Sequence, residues 1–188
     1  MNHNYKAKYA DTFLRPLQRD DIENLRQWRN NKTDTKFLTP LKYITPEMQA
    51  KWYESYLTNA SEYIFAIVED SELHRMVGSV AIYEYNPDNH TAEIGKIQIG
   101  DPEAHGRGIG RKALVMAMKI GFQKLDIQKF VGEVHQDNIS ARTNDQKVGF
   151  KFIGTQKALV GGLEDLLEAT QEDLAVANHY YSDIQIEG

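Results

Sequence analysis

The sequence predicts a mixed α+β fold, with a mostly antiparallel central sheet of about six to seven strands flanked by helices. Three observations carry this. Apolar runs with strand-like alternation cluster between residues 63 and 99 and are separated by short turn signals. Residues 108–125 keep Ile109, Ala113, Leu114, Ala117, Ile120 and Gly121 on one side of a helix. Shorter strand and helix patterns flank both, and no repeat, low-complexity tract or linker divides the 188 residues, so one domain over 1–188 is expected.

Taken in order, Thr12 to Leu17 (TFLRPL) is short and extended, and Pro16 suggests a strand at the sheet edge. Asp20-Asp21-Ile22-Glu23 offers a capping-box-like helix start, with Leu25 and Trp28 on one face. The polar stretch NNKTDTK interrupts, and Thr45-Pro46-Glu47 opens a second helix that carries Met48, Trp52, Tyr53, Tyr56 and Leu57. YIFAIV (63–68), MVGSVAIYEY (76–85) and TAEIGKIQI (91–99) read as an antiparallel meander, with Asn86-Pro87-Asp88-Asn89-His90 as the second turn. The long helix at 108–125 follows, then a strand from Lys129 to Val134, a short helix from Ile139 to Lys147 ended by Gly149, and a strand from Phe150 to Val160. Leu163 to Asn178 reads as an acidic amphipathic helix with Leu163, Leu166, Leu167, Thr170 and Leu174 on one stripe, and Tyr180 to Ile186 as a closing strand.

Composition narrows the function. The net charge of −5 argues against general nucleic-acid affinity, which needs clustered Lys and Arg. The chain has no cysteine, which excludes thiolate catalysis, disulfides and Cys-ligated metal. The polar start MNHNYKAKYADTF has no signal-peptide core, and no run approaches the roughly 18 apolar residues of a membrane span. A cytoplasmic location without membrane or nucleic-acid partners is the expectation. No His pair, carboxylate cluster or calcium-loop pattern points to a metal.

The chemistry concentrates in PEAHGRGIGRKA (102–113), which enters the long helix just after a strand. A helix start carries unpaired N–H groups and partial positive charge, glycines let a phosphate come close to them, and Arg107 and Arg111 add donors. The segment is a credible pyrophosphate cradle. A tight loop with glycines for geometry alone is the competing reading. The G-x-G-x-G spacing does not match the G-x-G-x-x-G dinucleotide fingerprint, and the Gly-Lys-Ser/Thr of a P-loop is absent.

Strand, then DPEAHGRGIGRKAL, then a long helix, a strand and N-x-x-A…K-x-G-F resembles the GNAT superfamily of acetyl-CoA-dependent N-acetyltransferases. Against its Gln/Arg-x-x-Gly-x-Gly/Ala signature the frame here is His105-Gly106-Arg107-Gly108-Ile109-Gly110, so His105 departs from the usual Gln or Arg. Asn138-Ile139-Ser140-Ala141 and Lys147-Val148-Gly149-Phe150 supply the second match. FLRPLQRDDIENLRQWRN is similar to the opening of a branch acting on nucleotide-linked amino sugars, ribosomal-protein N-termini and polyamines. The resemblance covers about Phe13 to Gly154.

It implies a splayed sheet in which the strands at 94–99 and 129–134 part, with acetyl-CoA in the gap. Main-chain groups near Gln98 and Ile99 would pair with the pantetheine, and an N–H there could polarise the thioester carbonyl. The segment from His105 to Arg111, through the amides of Gly106, Arg107, Gly108, Gly110 and Arg111, would hold the pyrophosphate, and Asn138 would bond the pantetheine arm. Glu93 is the candidate base, with a solvated strand glutamate as the alternative. Where the family often carries an acidic tyrosine, this chain has Asp145; His135 and Tyr83 are possible stand-ins, and packing or exposure is the plainer reading for each. Trp28, Arg29 and Trp52 are candidate acceptor-site residues, with Tyr83 beside them, and core packing is the alternative for the tryptophans. A small primary amine such as an amino sugar is the expected acceptor. A protein N-terminus or lysine, or a non-catalytic CoA-binding role, is the rival. The acidic segment at 163–178 would steer a cation, face solvent or join two copies as a homodimer.

Overall fold

The computed structural model describes residues 2–31, 43–159 and 161–188. Residues 32–36 of the polar break after Asn31 lie outside them, as does Val160. The strands are β1 (Lys6–Tyr9), β2 (Thr12–Pro16), β3 (Tyr63–Glu69), β4 (Arg75–Asn86), β5 (Thr91–Ile99), β6 (Lys129–His135), β7 (Lys151–Lys157), β8 (Leu163–Thr170) and β9 (Gln185–Glu187). The helices are α1 (Ile22–Asn30), α2 (Pro46–Leu57), α3 (Ile109–Lys124), α4 (Ile139–Val148) and α5 (Gln171–Ala177). The strands form one nine-stranded sheet in the order β7-β8-β6-β5-β4-β3-β2-β1-β9. All its pairings are antiparallel except β5 with β6.

In the meander, β3 and the first part of β4 are near-continuous apolar runs buried on both faces, whereas β5 begins with alternating burial, and the helix starts follow from their caps. Thr45 caps α2 by accepting the Met48 amide, with Pro46 at the first helical position. α3 crosses one face of the sheet, and its buried positions Ile109, Ala113, Leu114, Met116, Ala117 and Ile120 join Phe65, Ile67, Val80, Ile82, Ile94 and Phe130 in the main core. α1 and α2 cover part of the opposite face, over a second cluster built from Leu17, Tyr53, Tyr56, Ile64, Ala66, Met76 and Ala81. Lys119 of α3 is buried, but its ammonium donates to the carbonyls of Tyr181 and Ile184 at 2.7 and 3.0 Å. That ties the C-terminal segment to the core without an unpaired buried charge. Among the described residues no helix is long and apolar enough to cross a membrane.

Several elements differ from the sequence reading. The segment expected as a helix over 163–178 is the strand β8, followed only then by the short helix α5. Its leucines have helical spacing, but pairing on both sides, with β6 and β7, overrides local propensity. Asp165, Leu167 and Ala169 are the buried alternating set, and Thr170 and Asp173 form the capping box that starts α5. The acidic helix face that could have steered a cation or joined two copies therefore does not exist. The strand expected from Tyr180 to Ile186 is a 3-10 turn at Tyr181–Asp183 followed by β9. The first expected strand is interior rather than an edge, because β1 lies outside it. Pairing with β1 ends at Leu14, so the missing N–H of Pro16 costs no ladder bond on that side.

Candidate active site

β5 and β6 pair in parallel only over Thr91–Glu93 with Lys129–Val131. Beyond that point β5 stays with β4 and β6 stays with β8, so a gap opens between Ile94–Ile99 and Gly132–His135. On β5 the register against β4 slips between Ser79 and Ala81, and Lys96 takes a left-handed conformation with φ of 48°. This is a bulge that breaks the ladder beside the gap. Further along, the Gly100 amide donates to Val77 of β4 at 3.0 Å. Strand alternation then turns the main-chain groups of Ile99 toward the gap.

At the end of β5 the chain turns through Asp101 and Pro102–Ala104 into residues 105–111. The His105 ring bonds the Ile99 carbonyl through Nε2 at 2.8 Å, so this side chain anchors the loop to the strand. Gly106 and Gly108 have φ of +75° and +72°, and no atom lies within 4 Å of where a Cβ would stand on either. Among the described residues no acceptor meets the amides from Gly106 to Arg111; the next amide, of Lys112, donates to the Gly108 carbonyl at 3.2 Å. Ile109 is buried in the core and fixes the start of α3. A row of unpaired N–H groups at the positive end of a 16-residue helix, with glycines open to an approaching ligand, fits a diphosphate.

The arginine side chains do not complete this cradle as the sequence suggested. Arg107 is turned to Glu69 and Glu72, each at 3.3 Å. Nε of Arg111 is buried without an acceptor among the described residues, near Tyr180. What residues 106–111 leave unpaired is therefore mainly backbone.

Asn138 caps α4, its Oδ1 accepting the Ala141 amide at 3.2 Å. Asp145 sits one helical turn beyond Ala141, on the side that carries the buried Val148. Its carboxyl is half-buried, and burial raises its pKa from 3.8 to about 6. Three residues before it on α4, Arg142 donates Nε to Asp165 Oδ2 at 2.9 Å, and Gln136 holds the other oxygen at 2.7 Å. His135 is not a free acid: Nε2 meets the Gly161 carbonyl at 2.7 Å and Nδ1 the Asp137 amide at 3.2 Å.

The open face of the sheet, on the side of α1 and α2, is acidic beside the gap. Register places Tyr83 opposite Glu93, Glu93 opposite Val131, Glu133 opposite Leu166, and Glu164 opposite His135 and Gln156. Gln156 Nε2 bridges Glu133 and Glu164 at 2.9 and 2.7 Å. Among the described residues none of Glu93, Glu133 and Glu164 is paired with a cation, whereas Glu62 and Glu168 pair with Lys96 and Lys129. Burial, then the charges of Glu164 and Glu93, push the Glu133 carboxyl up. Burial and the neighbouring Glu93 likewise push the Tyr83 hydroxyl up, which suits it to hydrogen bonding rather than proton donation. The sequence reading missed Glu133 and Gln156, and it placed Glu164 in an acidic helix that could steer a cation rather than on this strand face. Alternation along KFVGEV could have put Glu133 on the open face, but Glu164 was hidden by the misread strand.

Trp28 and Trp52 rest against the second core cluster, and Trp52 stacks on Tyr56 with ring centroids 5.7 Å apart. Trp28 lies over Gly100, where a Cβ would come within 2.1 Å of the indole. The Gln98 side chain donates to the Trp28 carbonyl at 3.1 Å, and so braces α1 on β5. Arg29 is half-buried at the end of α1.

Known proteins share this architecture. The chain is 30% identical to an N-acetyltransferase 9-like protein of Nematostella vectensis over 149 residues, 74% of each chain. It is 29% identical to the spermidine N(1)-acetyltransferase of Escherichia coli K12 over 141 residues, 75% of this chain and 73% of that one. The fold matches the crystal structure of a spermidine N-acetyltransferase from Vibrio cholerae in complex with CoA and spermine, with a TM-score of 0.79 and 21% identity, covering 88% of this chain and 99% of that one. The family model described as the acetyltransferase (GNAT) domain matches residues 11–151, and with the splayed sheet and the glycine-lined helix start it leads to one conclusion: the chain belongs to the GNAT acetyltransferases, which take their acetyl group from acetyl-CoA.

Proposed function

We propose that this acetyltransferase acts on a primary amine of a small molecule carrying more than one positive charge. The observation that carries the reading is the set of uncompensated carboxylates, Glu93, Glu133 and Glu164, on the open face where β5 and β6 part. Such a face attracts and orients a polycation before chemistry, and its field weakens with salt. The spermidine acetyltransferases among the relatives are consistent with this. An amino sugar is less well served, because the tryptophans that would stack on it rest on the second core.

Acetyl-CoA supplies a thioester-bound acetyl group for direct transfer to the amine. In this reading the amides of Gly106 to Arg111 hold its diphosphate, and Ile99 offers its main-chain N–H along the gap. Asn138 has its Nδ2 left over from capping to bond the pantetheine arm. The amine arrives protonated. With an ordinary pKa near 10.4, freeing it at pH 7 costs roughly 4–5 kcal/mol. Glu93 accepts that proton, with the Tyr83 hydroxyl beside it. Asp145 delivers a proton to the departing sulfur; burial supplies an acid that is still partly protonated near neutrality. A cytoplasmic location belongs to the same reading and rests on the cysteine-free composition.

Thiol release from acetyl-CoA tests it against spermidine, glucosamine, a nucleotide-linked amino sugar and peptides with free N-termini. A polyamine should be turned over fastest, with kcat/KM falling as salt rises. Faster turnover of a sugar or a peptide would overturn the substrate assignment.

A further inference from the structure

The cradle has little to hold it in shape. Gly106 and Gly108 touch nothing on their Cα side, and left-handed glycines are the residues that lose most freedom on ordering. His105 fixes the loop before them through Ile99, and Ile109 fixes it after them through the core. Between the glycines the only tether among the described residues is the Arg107 side chain, which reaches Glu69 and Glu72. Glu72 is exposed and can hold an arginine only weakly.

Glu69 is different. It ends β3, is 0% exposed, and accepts the amides of Glu72 and Leu73 at 2.9 and 2.6 Å on one oxygen. Its other oxygen takes the Ser71 amide at 3.1 Å, the Ser71 hydroxyl and Nη2 of Arg107. This is a rigid, fully bonded carboxylate in the turn before β4, 38 residues from Arg107 along the chain. A fixed buried anion has one unsaturated demand, a cation, and the cradle supplies it.

We propose that Glu69 is a positioning residue for the diphosphate cradle: its buried carboxylate pins the Arg107 side chain, which holds the main chain between Gly106 and Gly108 open before the cofactor arrives. The inference rests on the reading of residues 106–111 as the diphosphate site. Without the pin, cofactor binding must order the loop itself. Ordering about one residue's backbone corresponds to a loss on the order of tenfold in affinity.

Calorimetric titration of the full chain with CoA, together with steady-state kinetics, tests this. If wild type takes up no CoA, the underlying site reading fails. If wild type binds and Glu69→Gln binds equally well, the positioning role alone is overturned. The expected result is about tenfold weaker CoA binding and a matching rise in KM for acetyl-CoA. Neither kcat nor the KM for S-acetylpantetheine, which lacks the diphosphate, should change. Should Glu69→Gln fold poorly, Arg107→Met leaves the turn around Glu69 bonded and should produce the same loss. Where both variants fold, the double variant should lose no more than either single one. Additive losses would mean that Arg107 grips the phosphate directly, and a lowered melting temperature with unchanged CoA affinity would mean a purely structural tie; either overturns the proposal.

Discussion

Replacing Asp145 by Asn separates two properties of one side chain. Burial raises the Asp145 carboxyl from 3.8 to about 6, so the folded protein holds this proton more tightly than the unfolded chain. The sign follows: the folded state gains from the protonated acid at low pH, and that gain is lost as pH rises through about 6, where the half-buried group must ionise. A shift of about two units at 1.36 kcal/mol each gives up to roughly 3 kcal/mol, less whatever water reaches the ionised group. Asparagine has nearly the same shape and does not titrate. Urea unfolding should therefore show wild type and Asp145→Asn nearly equal near pH 3 and the variant more stable at pH 8 by about 2–3 kcal/mol, with the change falling between the unfolded value of 3.8 and about 6. The same variant should lose on the order of a hundredfold in kcat if the group gives up a proton in turnover. A stability difference independent of pH would refute the burial argument, and an unchanged kcat would refute the catalytic one.

Three further outcomes follow from contacts elsewhere. Gly100→Ala drives a methyl to within 2.1 Å of Trp28 and should cost about 1–3 kcal/mol, read by urea unfolding, with the tryptophan emission shifted as α1 is displaced. Arg142→Met leaves the buried Asp165 carboxylate with Gln136 alone and should destabilise by roughly 3 kcal/mol, and adding Asp165→Leu should recover much of that loss by thermal melting. Glu133→Gln with Glu164→Gln should raise KM for a polyamine severalfold and flatten its salt dependence, while leaving CoA affinity unchanged.

The legible parts of the molecule were those written in local chemistry. The glycine run before a long amphipathic helix, the meander, and the Thr45-Pro46 helix start each state their conformation within a few residues. β8 was not legible, because LEDLLEAT combines good helix formers with leucines three and four apart, and only strands on either side make it extended. β1 gave no signal strong enough to displace β2 from the expected edge. The site divides the same way. Residues 105–111, Asn138 and Asp145 stand out through a motif or a departure from one. Glu69, Glu133 and Glu164 matter through partners that lie across the sheet, or in a loop 38 residues away in the case of Arg107.

The most direct measurement is a crystal structure of the protein with CoA bound. The account predicts diphosphate oxygens within hydrogen-bonding distance of the amides between Gly106 and Arg111, and the pantetheine arm lying between β5 and β6 with its sulfur toward Asp145. A diphosphate held elsewhere, with those amides still facing solvent, would contradict it.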